Sequence, residues 1–118
     1  MGITVIKAEV SNPAVRSRTT TVRFTVDSGA AYSVVPSAVL RKLGIEPDTT
    51  QEFFLANGEA VERRMGIAVF EYLGKVTAAS VIFGEEGDAA LMGATTLEGF
   101  GFVLDPFKRE LRPMPMRL

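Results

Sequence analysis

An acid, a small hydroxyl and a glycine stand side by side in Val26-Asp27-Ser28-Gly29-Ala30, between apolar runs at Val22 to Val26 and Tyr32 to Val35. Asp27 brings a carboxylate able to take or give a proton, Ser28 a hydroxyl, and Gly29 a backbone that passes close by and offers an amide donor. The rest of the chain narrows the chemistry. It has no His and no Cys, which removes Ser-His-Asp and Cys-His catalysis, thiolate chemistry, disulfides and most zinc sites. Carboxylates, lysine, tyrosine and hydroxyls remain. A Ser-Lys pair finds no Ser-x-x-Lys spacing.

A carboxylate alone can serve hydrolysis by activating a water. Two facing carboxylates about 3 Å apart do so well, because they share one proton. The ionised member takes a proton from the water, the protonated member hydrogen-bonds to the scissile carbonyl, and the roles reverse as the amine leaves. The protons belong to the pair. Asp27-Ser28-Gly29 occurs once in the chain, so this chemistry needs a second copy. Ser28 is then placed to hydrogen-bond across to the partner chain, and Ala30 leaves room where two loops meet. The competing reading is an Asx or Ser turn between strands, since Asp, Ser and Gly are common turn formers.

The elements that must position Asp27 read mostly as strands. Ile3 to Val10 alternates, with Ile3, Val5 and Lys7 on one face. Ser11 to Thr20, with Asn12-Pro13, reads as a loop. Thr21 to Val26 is rich in β-branched residues and predicts a strand, resumed after the turn at Ala31 to Val35. Pro36 to Gly44 predicts a short helix, with Pro36 in its first turn and Gly44 past its end. Asn57-Gly58 within Gln51 to Met65 is a strong two-residue hairpin signal, because both residues tolerate positive φ. Ile67 to Leu73 and Lys75 to Phe83 predict a second hairpin about Gly74. Gly84 to Asp88 reads as a polar turn and Ala89 to Met92 as a short strand. Thr95 to Gly99 reads as a helical turn, and Gly101 to Asp105 with Arg109 to Arg112 as a last pair. The total is about nine strands and one or two short helices.

The 118 residues suit a single domain, 1–118. Net charge is −1 with acids and bases interspersed, so no basic field argues for nucleic acid. No apolar run reaches the roughly 20 residues of a membrane span, and no membrane partner is expected. Met1-Gly2 raises N-myristoylation, but that signal wants a hydroxyl where Ile6 stands. With no targeting signal, the expected location is cytoplasmic. Gly84-Glu85-Glu86-Gly87-Asp88 does not match an EF-hand loop, so no metal or other cofactor is expected. Asp48 and Asp105 read as turn acids, and Glu62-Arg63-Arg64 and Lys108-Arg109-Glu110 as solvated strand edges. The phenylalanines read as core or pocket walls.

One ordered set of features runs from about Ile3 to Leu111. Asp27-Ser28-Gly29-Ala30 is followed by a hairpin tipped by Asn57-Gly58, then Ala90-Leu91-Met92-Gly93, then a short helix. This order resembles the retropepsin-like, single-lobe aspartic proteases of retroviruses and, in its opening strand and Ser11-Asn12-Pro13, their small microbial relatives. The resemblance implies an all-β acid protease barrel with one or two short helices, closed as a homodimer. Asp27, Ser28 and Gly29 would be catalytic. Asn57-Gly58, flanked by Ala56 and Glu59, would be the tip of a flap over an extended peptide. Leu91-Met92-Gly93 would run beneath the Asp27 loop and buttress it. Ala30, Ala56, Asn57, Gly58, Glu59 and Met92 would contact substrate, with pocket walls from apolar residues of the flap and of the strands near Gly84 and Met92.

The chain departs from the retroviral pattern in three ways. Ser28 stands where many members have Thr, which keeps the hydroxyl. Ala31 and Ala94 stand where retroviral members usually carry an acid and an Arg, so an interface ion network is absent and apolar and backbone contacts must hold the dimer. The flap has one glycine at its tip. The reading is a homodimeric aspartic endopeptidase acting on peptide or protein substrates. The alternative is a non-catalytic peptide-binding or dimerisation module of the same fold. A weaker third option is an unrelated β-barrel in which Asp27-Ser28-Gly29 is only a turn.

Overall fold

The computed structural model describes residues 3–118; Met1 and Gly2, which would begin an acylation signal, lie outside the described residues. The chain forms β1 (Val5–Ser11), β2 (Thr19–Val26), β3 (Ser33–Pro36), α1 (Ser37–Lys42), β4 (Thr49–Phe54), β5 (Ala60–Tyr72), β6 (Lys75–Gly84), β7 (Leu91–Met92), α2 (Ala94–Phe100), β8 (Phe102–Asp105) and β9 (Glu110–Pro113). The expected mostly-β architecture with short helices is present.

β1 and β2 form an antiparallel pair from Val5↔Thr25 to Ser11↔Thr19. Ile6, Ala8 and Val10 of β1 and Val22, Phe24 and Val26 of β2 are buried. The face of β1 that carries Ile3, Val5 and Lys7 is the exposed one. Both faces of β1 hold apolar residues, and the partner strand decides which is covered: Ile6 lies opposite Phe24, and Ala8 opposite Val22. Pairing also reclaims Thr19 and Thr20 from the expected loop. The remainder is braced by Asn12, whose Nδ2 donates to the Leu43 carbonyl at 2.9 Å and whose Oδ1 accepts the Ala14 N–H at 2.8 Å.

The main sheet has the order β1-β2-β7-β3-β6-β5-β4, and β1 also pairs with β5. That pairing, Glu9↔Glu71 through Ser11↔Val69, closes the sheet into a barrel and leaves β4 projecting with the end of β5. Phe24, Phe70, Phe83, Leu40, Met92, Val10, Val35 and Val81 are fully buried inside, and the rings of Phe24 and Phe70 meet at 6.0 Å. α2 packs Leu97 and Phe100 against this core, and Phe102 seats the separate β8–β9 hairpin on it, 5.9 Å from Phe100 and 6.1 Å from Tyr72.

Two local expectations change. Pro36 ends β3 and caps α1 with φ −53° and ψ 135°, since its ring fits extended backbone as well as a first turn. Gly44 does lie past the helix end, its N–H donating to the Arg41 carbonyl at 2.9 Å. The two runs about Gly66 are one strand, β5. Gly66 does not break it; a Cβ there would lie 3.0 Å from the Glu46 carbonyl oxygen and from Phe83, so the residue lets a neighbouring segment cross close by.

Candidate active site

Asp27 is the first residue after β2. Its position is set by β7, which lies between β2 and β3, parallel to the first through Val26↔Met92 and antiparallel to the second through Val34↔Leu91. The chain must therefore leave β2, cross the end of β7 and re-enter as β3, and the loop that crosses is Asp27 to Tyr32. The Asp27 N–H donates to the Met92 carbonyl at 2.9 Å, continuing the ladder one residue beyond the strand. The backbone of Asp27 is thus held by the barrel while its side chain is exposed.

The loop then turns on itself. The Gly29 N–H donates to Asp27 Oδ1 at 2.9 Å and the Ala30 N–H to the Asp27 carbonyl at 3.1 Å. This is the Asx turn that Asp, Ser and Gly favour, and it orients one carboxylate oxygen while leaving the other unpartnered among the described residues. Ser28 Oγ also has no hydrogen-bond partner among the described residues. Ser28, Ala94, Leu97, Glu98, Phe102, Val103 and Leu104 line an open groove of about 270 Å³ beside the loop.

α2 fixes the far side of the loop. The Ala94 N–H donates to the Ala30 carbonyl at 2.7 Å and the Thr95 N–H to the Ala31 carbonyl at 3.0 Å. Ala31 and Ala94 thus carry backbone ties where their side chains offer no charge. Beneath them, Ser33 Oγ accepts the Gly93 N–H at 3.0 Å and shares a 2.6 Å hydrogen bond with Thr96 Oγ1; both side chains are buried. Gly93 is required by close approach: a Cβ there would lie 2.5 Å from the Tyr32 carbonyl oxygen and 2.9 Å from that of Ala30. The buttress expected of Leu91-Met92-Gly93 is the arrangement found. Met92 is fully buried; its neighbour Leu91 points the other way, as alternation along a strand requires, and lines a cleft.

That cleft lies between the β4–β5 hairpin and the turn after β6. It holds about 310 Å³ and is lined mainly by Val34, Phe53, Leu55, Val61, Ile82 and Leu91. The hairpin rests on the Asp27 loop through Phe53, whose ring meets Tyr32 edge-on at 6.4 Å. Its tip is not the predicted two-residue turn. The Gly58 N–H donates to the Leu55 carbonyl at 2.9 Å and the Leu55 N–H to the Glu59 carbonyl at 2.8 Å. Only Gly58 has positive φ, +86°. Ala56, Asn57 and Gly58 therefore form a three-residue loop closed by a glycine bulge, and Asn57 Oδ1 accepts the Glu59 N–H at 2.9 Å. Ala56 to Glu59 are exposed, and no hydrogen bond or ion pair among the described residues joins them to Asp27.

Two charged residues were missed by the sequence reading. Arg63 of β5 and Asp88 of the turn after β6 pair through both ends, Nε to Oδ2 at 2.8 Å and Nη2 to Oδ1 at 3.1 Å. The Arg63 hydrogen bond holds the Asp88 carboxyl below its ordinary range, against the opposing effect of burial, and the Glu85 N–H to Oδ2 at 2.8 Å adds to it. Asp88 thus makes an ion pair with Arg63, and Arg63 is no free strand edge. Among the described residues no group of three acids could hold a metal ion.

A family model described as "gag-polyprotein putative aspartyl protease" matches residues 14–99. Among solved structures, the chain is similar to a retropepsin-like aspartic protease from Rickettsia conorii, with 25% identity over 93% of this chain and 88% of that one and a TM-score of 0.53. It is also similar in fold to the protease of simian foamy virus from macaque, with 21% identity over 80% of this chain and 91% of that one and a TM-score of 0.56. No curated protein matches it.

Proposed function

The chain belongs to the gag-polyprotein aspartyl protease family, and from that premise we propose that it is a homodimeric aspartic endopeptidase whose dyad is Asp27 from each of two copies. The observation that carries this reading is the Asp27 loop: a carboxylate exposed at the end of a barrel strand, oriented by the Gly29 N–H, with backbone anchored to Met92. One chain supplies half of a water-activating pair. A second copy related by a two-fold axis supplies the other half, as an isologous interface does.

In the assembled pair, one shared proton serves both carboxylates and the water between them attacks the peptide carbonyl. The Ser28 hydroxyl, without a hydrogen-bond partner among the described residues, is available to hold the two loops in register. The β4–β5 hairpin closes over a substrate lying as an extended strand, which its backbone can hydrogen-bond, and the apolar cleft beside Leu91 receives a side chain. Loop closure excludes other water.

The test is digestion of a peptide library by wild type and by Asp27→Asn, with sedimentation run in parallel. The wild type cuts and forms dimers at micromolar concentration; the variant folds, dimerises and does not cut. Undiminished cleavage by the variant removes the assignment. A strict monomer at every concentration leaves the fold as a peptide-binding module.

A further inference from the structure

The Arg63–Asp88 pair lies on the apolar cleft rather than on the open surface. It bridges two separate walls, since Arg63 belongs to the strand that returns from the hairpin tip and Asp88 to the turn that leads into Leu91. The side chains are only 20% and 27% exposed. Three donor groups of Arg63 are engaged, Nε and Nη2 by Asp88 and Nη1 by the Glu62 carbonyl at 2.9 Å. Both carboxylate oxygens of Asp88 accept from Arg63, and Oδ2 accepts the Glu85 N–H as well. The turn is further closed by the Asp88 N–H on the Glu85 carbonyl at 2.9 Å.

We propose that Arg63 and Asp88 are specificity-determining residues: by neutralising each other on the wall of the cleft between the hairpin and the turn after β6, they make that subsite select a neutral, apolar substrate side chain. The physical case is a competition. A substrate carboxylate entering the cleft finds the Arg63 charge already neutralised by Asp88, and an ammonium finds that of Asp88 neutralised by Arg63. Either must shed water without gaining a free counter-charge, or break a two-point pair and leave a partly desolvated charge behind. An aliphatic or aromatic side chain meets Phe53, Leu55, Val61 and Leu91 and leaves the pair intact. The selectivity therefore includes rejection of charge as well as apolar attraction.

Removing one partner reverses the preference. Asp88→Asn keeps the shape and leaves the Arg63 charge unbalanced, so an acidic side chain becomes acceptable. Glu85 also acts on the Arg63 charge and is positioned to compensate, so the variant is made alone and with Glu85→Gln. Arg63→Met leaves Asp88 unbalanced and admits a basic side chain. The reversed pair, Arg63→Asp with Asp88→Arg, restores the apolar preference and guards against a simple folding defect.

The proposal rests on the peptide-binding cleft of the protease reading, and the experiment separates the two. Cleavage profiles of a peptide library are taken for each protein by mass spectrometry, and binding of matched Leu, Glu and Lys peptides is measured in the Asp27→Asn background. At one substrate position, Asp88→Asn shifts the Glu-to-Leu preference toward Glu by on the order of tenfold or more, the worth of one hydrogen bond to a charge. The shift appears in KM rather than kcat, and Arg63→Met moves the same position toward Lys. Cleavage by all variants with unchanged profiles overturns the proposal and leaves the protease reading standing. Shifted binding without cleavage by wild type overturns the protease reading and supports the proposal. Absence of both cleavage and binding overturns both.

Discussion

Gly93→Ala is the most informative single perturbation of the Asp27 loop. The added Cβ would lie 2.5 Å from the Tyr32 carbonyl oxygen, 2.6 Å from its carbon and 2.9 Å from the Ala30 oxygen. All three are backbone atoms, so no side chain can swing aside. The loop must retreat by roughly 1 Å to reach ordinary contact. That retreat acts on the hydrogen bonds that hold it: Ala94 N–H to the Ala30 carbonyl, Thr95 N–H to the Ala31 carbonyl and Gly93 N–H to Ser33 Oγ. Overpacking a tight site costs about 1–3 kcal/mol, and weakening hydrogen bonds worth about 1 kcal/mol each adds to it. The sum is about 2–4 kcal/mol, which lowers the urea midpoint by about 1–2 M for an m-value near 2 kcal/mol/M. The fraction that stays folded should lose about 100-fold in turnover, because a shift approaching 1 Å at the reacting carboxylate is enough. Urea unfolding followed by fluorescence, with peptide cleavage in parallel, reads both effects. The control is Gly74→Ala, where φ is +78° and no atom lies within 4 Å of the added Cβ; it costs about 1 kcal/mol through the backbone alone and leaves cleavage unchanged. A Gly93→Ala protein within about 0.5 kcal/mol of wild type, the range of a neutral surface change, would refute the close-approach argument.

Leu73 sits at φ +51° and is 77% exposed. Leu73→Asn should therefore raise stability by about 1 kcal/mol by relieving the left-handed penalty, and an unchanged or lower melting temperature would contradict this. Asp88 gives a pH prediction. Its carboxyl is held below the ordinary value of 3.8, chiefly by the Arg63 hydrogen bond. A depressed folded value means stability that is complete above the ordinary aspartate range and is lost as pH falls through the lower, folded value. Asp88→Asn should flatten that acid limb; equal acid sensitivity in variant and wild type would show that the pair contributes nothing to it.

The parts of the fold that are local in the chain were legible from the residues. Asp27-Ser28-Gly29 forms a turn because the three residues favour one wherever they stand together, and the glycine after α1 ends it as expected. What failed depends on partners distant in sequence. Both faces of β1 carry apolar residues, and only pairing of Ile6 with Phe24 chooses between them. Asn57-Gly58 is the better two-residue turn by propensity, yet the consecutive positive φ values fall at Leu73 and Gly74. The reason is register: β5 and β6 pair down to Tyr72↔Lys75, leaving two residues to turn, and a buried strand pair outweighs a turn preference. The same register predicts the ion pair. Continuing it beyond Met65↔Ile82 sets Arg63 beside Gly84, at the entrance to the turn that holds Asp88. Treating β5 as two runs hid this. The Ser33–Thr96 contact under the loop has no sequence signal, because the two residues meet only after β7 has been inserted between β2 and β3.

The central claim is that catalysis takes one Asp27 from each of two copies, and subunit mixing tests it most directly. Wild type and Asp27→Asn are combined in equal amounts, allowed to exchange and assayed at constant total protein. If each site needs both carboxylates, only the wild-type pairs cut, and activity falls to about one quarter of that of the undiluted wild type, the square of the wild-type fraction. Retention of about one half after proven exchange, the linear result for a site complete in one chain, would contradict the account.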